Sequence, residues 1–214
     1  MSTDSGVFVK ITNYAEDIQK GNLYCPPIQY FIDLEKDTVS KGRGDPKEAQ
    51  IPIFRSITRD NNSIEEISCT RSSGYEHFPV FCVCYLPQDN DGKCKFTALQ
   101  KKEFVTFGGD CIIISDIDKF IHRVEMACAH QGYQLVHSFV HYEDFWDPSP
   151  KVKSIIDKNP LAACFRKDRF FANQSEYRFV ICHELSEEKD HLVLNVGDLS
   201  DISQVCKDCF SVRR

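Results

Sequence analysis

The 214-residue sequence predicts one α+β domain over residues 1–214, with a mixed, mostly antiparallel sheet and flanking helices. Three observations predict it. With 42% hydrophobic and 27% charged residues, 9 Pro and 10 Gly, the chain has the composition of a packed globular protein, which excludes disordered, collagen-like and coiled-coil readings. No internal repeat, low-complexity tract or Gly/Ser/Pro linker divides it. Apolar runs of strand length outnumber helical stripes and do not alternate strictly with them, which argues against a doubly wound parallel sheet.

The opening VFVKI reads as a strand, followed by a brief helix over Tyr14 to Lys20, capped by Asn13 and closed by Gly21. Leu23-Tyr24-Cys25 is too short to classify. Pro26-Pro27 opens a helix in which Ile28, Phe31, Ile32 and Glu35 recur at helical spacing. The turn-rich KDTVSKGRGDPKEA follows, then IPIFRSI and IEEISCT as strands paired around the Arg59 to Ser63 turn, and PVFCVCYL as a central strand.

After the QDNDGK turn, Thr97 with Gln100 forms the capping box of a short helix. CIIIS is a buried strand, and Ser115 or Asp116 caps a helix whose Ile117, Phe120, Ile121, Val124, Ala127 and Cys128 form one apolar stripe before Gly132. YQLVHSFVHYE reads as one long strand, EDFWDPSP as a loop and Pro150 to Lys158 as a helix. The basic segment ACFRKDRFFANQ leads into the strand EYRFVICHE, with HLVLNV as its hairpin partner across LSEEKD.

A formal charge of -6 argues against bulk nucleic-acid binding, which needs a basic surface to displace counterions. Lys101-Lys102 and Arg166-Lys167-Asp168-Arg169 are the longest basic clusters, read as a solvated face. Eleven cysteines, an odd number, and an N-terminus without an apolar leader favour reduced thiols and a cytoplasmic location. No apolar run approaches the ~20 residues that cross a bilayer, so no membrane partner is expected.

In an extended FANQSEYRFVI, side chains two apart share a face, so Gln174, Glu176 and Arg178 stand side by side while Tyr177, Phe179 and Ile181 face the core. A carboxylate, an amide and a guanidinium in a row can bind a ribose or other polar substrate, or Glu176 and Arg178 can simply pair on a sheet surface. In RGDPKEA, Arg43, Asp45 and Glu48 beside a glycine turn place a cation and two carboxylates at a pocket rim, or form an exposed turn that starts a helix. Tyr24, Tyr30 and Phe31 can stack on a ring or belong to the core. His137 and His141 fall on one strand face as a candidate acid–base or metal pair. Cys206-Lys207-Asp208-Cys209 supplies half a zinc site, but a second pair at zinc-ribbon spacing is missing, and no metal is expected.

Gln174-Ser175-Glu176, preceded by Phe171-Ala172 and leading into an apolar strand, resembles the Gln/Glu-x-Glu segment of ADP-ribosyltransferases. The resemblance covers about a dozen residues. It implies that Glu176 holds the nicotinamide ribose and stabilises an oxocarbenium-like transition state, that Gln174 engages the acceptor, and that NAD is the substrate. For the family's early-strand Arg or His and its Ser-Thr-Ser strand, the chain offers only Arg55 and Ser72-Ser73 after Arg71. GNLYCPPIQYFIDLE, GRGDPKEA and FANQSEYRFVI together also resemble a set of short bacterial and phage-associated proteins, a resemblance that supplies no activity. The expected function is nucleotide handling, as an NAD-dependent ADP-ribosyl transfer or NAD-cleaving enzyme. The alternative is a non-catalytic defence-related module that binds a nucleotide signal or a protein partner.

Overall fold

A computed structural model describes residues 6–34, 44–59, 62–71, 74–145, 150–186, 189–207 and 209. The order of elements is β1 (Gly6–Thr12), α1 (Ala15–Gln19), β2 (Asn22–Cys25), α2 (Ile28–Leu34), β3 (Gln50–Arg59), β4 (Asn62–Arg71), β5 (Val80–Pro87), α3 (Ala98–Phe104), β6 (Asp110–Ile114), α4 (Ile117–His130), β7 (Leu135–Phe139), β8 (His141–Glu143), α5 (Pro150–Lys158), β9 (Arg166–Asp168), β10 (Glu176–Ile181), β11 (Leu192–Asn195) and β12 (Ser203–Cys206). The class is α+β, with mostly antiparallel pairing. No helix among the described residues is long and apolar enough to cross a membrane.

The chain gathers into two compact units, one of residues 1–27, 78–139 and 173–214, the other of residues 28–77 and 140–172. Each unit is built from separated stretches of chain, so a composition-shifted linker has no place to appear.

The first unit is a six-stranded sheet in the order β12-β6-β1-β5-β10-β7, every pair antiparallel, together with the two-stranded β11-β2. The apolar run of β5 lies between β1 and β10, as a continuous hydrophobic strand requires when both faces are covered. One face carries Phe8, Phe81, Tyr177 and Phe179 and receives the stripe of α4: Ile117, Phe120, Val124, Ala127 and Cys128. Phe120 and Phe179 meet edge-to-face with centroids 5.6 Å apart, the arrangement that places a ring's positive edge on its neighbour's negative face. The other face carries Val9, Leu86 and Cys111, with Cys84, Phe96, Ile113 and Cys206 packed against them.

Helix starts follow local chemistry. The Thr97 side chain accepts from the Gln100 backbone N–H while the Gln100 side chain accepts from the Thr97 N–H, a complete capping box on α3. Asp116, of the two candidates, caps α4 by accepting from the Lys119 N–H. At α1 the expectation fails: the cap position is Tyr14, with no side-chain cap bond, and its N–H donates instead to Thr12 Oγ1. Gly21 does close that helix, at φ +93.

Three further readings are corrected. YQLVHSFVHYE is not one strand: β7 pairs with β10, whereas β8 pairs in parallel with β9 in the second unit, so His137 and His141 belong to two different strands. HLVLNV pairs with β2, not with β10, because the latter's two edges are already taken by β5 and β7. SQVC, passed over in the sequence, is the edge strand beside β6.

The second unit holds α2, α5, the β3–β4 hairpin and the short β8–β9 pair.

Candidate functional site

Glu176 begins β10 and Arg178 follows on the same face, opposite Cys84 and Cys82 of β5 respectively. Both are buried, at 6% and 1% exposure. Arg178 Nε donates to Glu176 Oε1 at 2.7 Å, and Nη2 lies 2.6 Å from the same oxygen. The guanidinium therefore grips one carboxylate oxygen with two donors. The carboxylate also acts on its neighbours. Burial first, and then the Glu176 charge, pushes the Cys82 and Cys84 thiols up to about 12 each, so both remain protonated small hydrophobes.

Gln174 is not in the strand. It ends a 3-10 turn over Arg169–Gln174, and Ser175 adopts φ 44 before β10 begins. The expected row of three is thus broken: Glu176 and Arg178 stay together while Gln174 turns its amide to Glu103 Oε1, 2.9 Å away. Gln100 Nε2 reaches Ser175 Oγ at 3.4 Å. The polar group at the start of β10 thereby gains two members from α3, Gln100 and Glu103, that the sequence did not single out. The capping box marked Gln100 as a helix residue, but nothing local linked it to Ser175.

On the core face, Tyr177 Oη lies 2.6 Å from His137 Nδ1, and His137 Nε2 lies 3.3 Å from Glu125 Oε1. Burial, and then the Glu125 charge, raises the Tyr177 phenol to about 12, so it stays protonated. Tyr24 is 44% exposed and stacks on His191 with centroids 4.3 Å apart.

The other predicted residues belong to the second unit. Asp45 and Glu48 are buried, which excludes the exposed-turn reading of RGDPKEA at those two positions. Asp45 Oδ1 accepts from the Lys47 N–H at 2.8 Å and Oδ2 from the Asp168 N–H at 3.2 Å, while burial pushes its carboxyl up from the usual range. Lys47 Nζ pairs with Asp168 Oδ2 at 2.9 Å, and Lys167 Nζ lies 3.9 Å from Glu48 Oε2 and 5.2 Å from the centre of the Phe171 ring. Arg166 pairs with Glu143, and burial lowers its guanidinium to about 10. Arg166-Lys167 is accordingly not a solvated face: both side chains are withdrawn from water into a network of alternating charge. Tyr30, 45% exposed, packs edge-to-face against Phe31. Arg43 and Ser72-Ser73 lie outside the described residues, as does the side chain of Arg55.

The chain matches no known protein family, no curated protein and no solved structure. The chemistry of the site must therefore come from its own geometry. A carboxylate held by a guanidinium, beside an amide fixed by a second carboxylate, is suited to two tasks. It can stabilise developing positive charge, or it can orient a polyhydroxylated ligand through directed hydrogen bonds. Among the described residues, the groups able to hold a soft metal are three cysteines, Cys111, Cys206 and Cys209, which are separate from this polar set.

Proposed function

We propose that the chain handles a nucleotide and that the start of β10 is the centre of its site, with cleavage of the nicotinamide–ribose bond of NAD, or ADP-ribosyl transfer from it, as the reaction. The observation that carries the reading is the convergence of buried polar side chains there. Glu176, Arg178, Gln174 and Gln100 are all under 10% exposed, and burying such groups is unfavourable unless directed interactions compensate. Glu176 is the group that stabilises positive charge at the anomeric carbon. Arg178 is assigned to orienting that carboxylate rather than to phosphate. Gln174 orients the acceptor or the attacking water, with Glu103 fixing its amide. Tyr24 has no part in this reading: its strand packs with the α4 side of the sheet, whereas Glu176 and Arg178 stand on the other face.

The test is nicotinamide release from NAD by the full chain and by Glu176→Gln and Gln174→Ala variants, with folding followed by circular dichroism. Expected are turnover by the parent chain, loss of it in a folded Glu176→Gln, and partial loss in Gln174→Ala. Undiminished turnover in Glu176→Gln overturns the assignment.

A second reading, a non-catalytic module that binds a nucleotide signal or a protein partner, is favoured by one observation: Glu176 Oε1 already receives two donors from Arg178. Calorimetry with mono- and dinucleotides separates the two. Binding without product supports the module, and neither binding nor product removes both.

A further inference from the structure

Three cysteines from two distant parts of the sequence meet at one corner of the six-stranded sheet. Cys111 of β6 stands opposite Cys206 of β12 across the antiparallel pair. The chain then turns through Lys207 and brings Cys209 back, its Sγ 2.7 Å from Cys111 Sγ and 3.2 Å from the Cys206 carbonyl oxygen. All three sulfurs lie within 4.8 Å of one another. Thiolates about 2.3 Å from one tetrahedral zinc stand about 3.8 Å apart, so a small adjustment of this triangle accommodates one ion.

We propose that Cys111, Cys206 and Cys209 bind one thiophilic metal ion of the zinc class, with water in the fourth position. The Cys206-x-x-Cys209 turn is half of a structural zinc site, and the sheet register supplies the ligand that the sequence spacing does not. Burial grades from Cys111 (buried) through Cys206 to Cys209 (exposed), which leaves the outer side of the triangle to solvent. Lys207, inside the Cys-x-x-Cys, does not compete for the sulfurs: its ammonium pairs with Glu16 at 2.6 Å and Asp110 at 2.9 Å. Binding converts three thiols to thiolates and releases three protons, with no change of oxidation state. A disulfide is the rival, but it joins two sulfurs and leaves the third unexplained.

The experiment is titration of the reduced, chelator-stripped full chain with cobalt(II), read by thiolate-to-cobalt charge-transfer absorption, followed by zinc competition. One equivalent is expected, displaced by zinc, with the band reduced in Cys111→Ser, Cys206→Ser and Cys209→Ser. Each variant should lose at least about tenfold in affinity, the smallest loss that even an outer-shell partner produces. Cys182→Ser should bind like the parent. Cys209 is exposed, so its variant keeps the fold even if Cys111→Ser does not. Absence of the band, uptake well below one equivalent, or parent-like affinity in Cys209→Ser overturns the proposal. So does a Cys111–Cys209 disulfide in the isolated protein whose reduction restores no metal binding.

Discussion

Glu176 and Arg178 offset each other's burial. With both withdrawn from water, removing one takes from the other the opposite charge in direct contact with it, at a cost of about 3–5 kcal/mol, whereas replacing both by apolar groups is less disruptive. Glu176→Gln is therefore expected to lower the urea midpoint sharply, and Glu176→Leu combined with Arg178→Met to recover most of it. A loss of activity in the single variant counts as chemical only where the protein is still folded. Asp201 offers a contrast at the surface, where hydrogen bonds from Arg123 and Lys119 hold its carboxyl down to about 2 from the usual 3.8. A depressed carboxylate contributes stability above its unfolded value and loses it as pH falls through the folded one, so this contribution should fade between 3.8 and about 2. Carbon-detected NMR titration of Asp201 should place its midpoint near the lower figure, and Arg123→Ala or high salt should move it upward. The side-by-side placement of Glu176 and Arg178 was legible from period-2 spacing, but their burial was not: the pair expected on a sheet surface lies in a strand buried at every position. The departure of Gln174 was not legible either, because it depends on Ser175 entering a left-handed conformation that nothing in the residue type demands.

Most elements with a local cause were read correctly, the cap of α1 excepted, while the long-range strand pairings were not. The capping box of α3, the stripe of α4 and the apolar run of β5 are each specified by their own residues. By contrast, β11 reads as a hairpin partner of β10 until β7 is known to hold that edge, and β12 is four residues long with none of them fully buried. The meeting of Cys111 with Cys206 and Cys209 is illegible for the same reason: it exists only in the β6–β12 register. Glycines separate the local cause from the distant one. Gly132 closes α4 at φ +72 with open space where a Cβ would go, so Gly132→Ala should cost roughly 1–2 kcal/mol from backbone strain alone. Gly21 has φ +93, and a Cβ there would sit 2.1 Å from the Gly197 carbonyl oxygen, so Gly21→Ala adds a clash costing roughly 1–3 kcal/mol more. Thermal melts of the two variants, compared with Thr97→Ala at about 1 kcal/mol for the α3 cap, should rank Gly21→Ala as by far the worst.

At the scale of the whole first unit, the α4-facing side of the sheet carries the bulk of the apolar burial. Phe120 is fully buried against Phe8, Phe81 and Phe179, so Phe120→Ala should cost about 3–5 kcal/mol in denaturant titration. The α+β class followed from the proportions of apolar runs and stripes, but the arrangement of strands did not, since each neighbour in the sheet is chosen from far along the chain. The order β12-β6-β1-β5-β10-β7 has a consequence for the chain as it leaves the ribosome. Strand β1 sits in the middle of the sheet and must wait for Val80–Pro87 before either of its edges is met. Until Ser203–Cys206 is synthesised, the outer edge of β6 presents unpaired amides and carbonyls beside three consecutive isoleucines, a template for any other extended chain nearby. Nascent molecules crowded on one messenger would be most prone to cross-pair in that interval, and slowing translation just upstream of β12 should lengthen it.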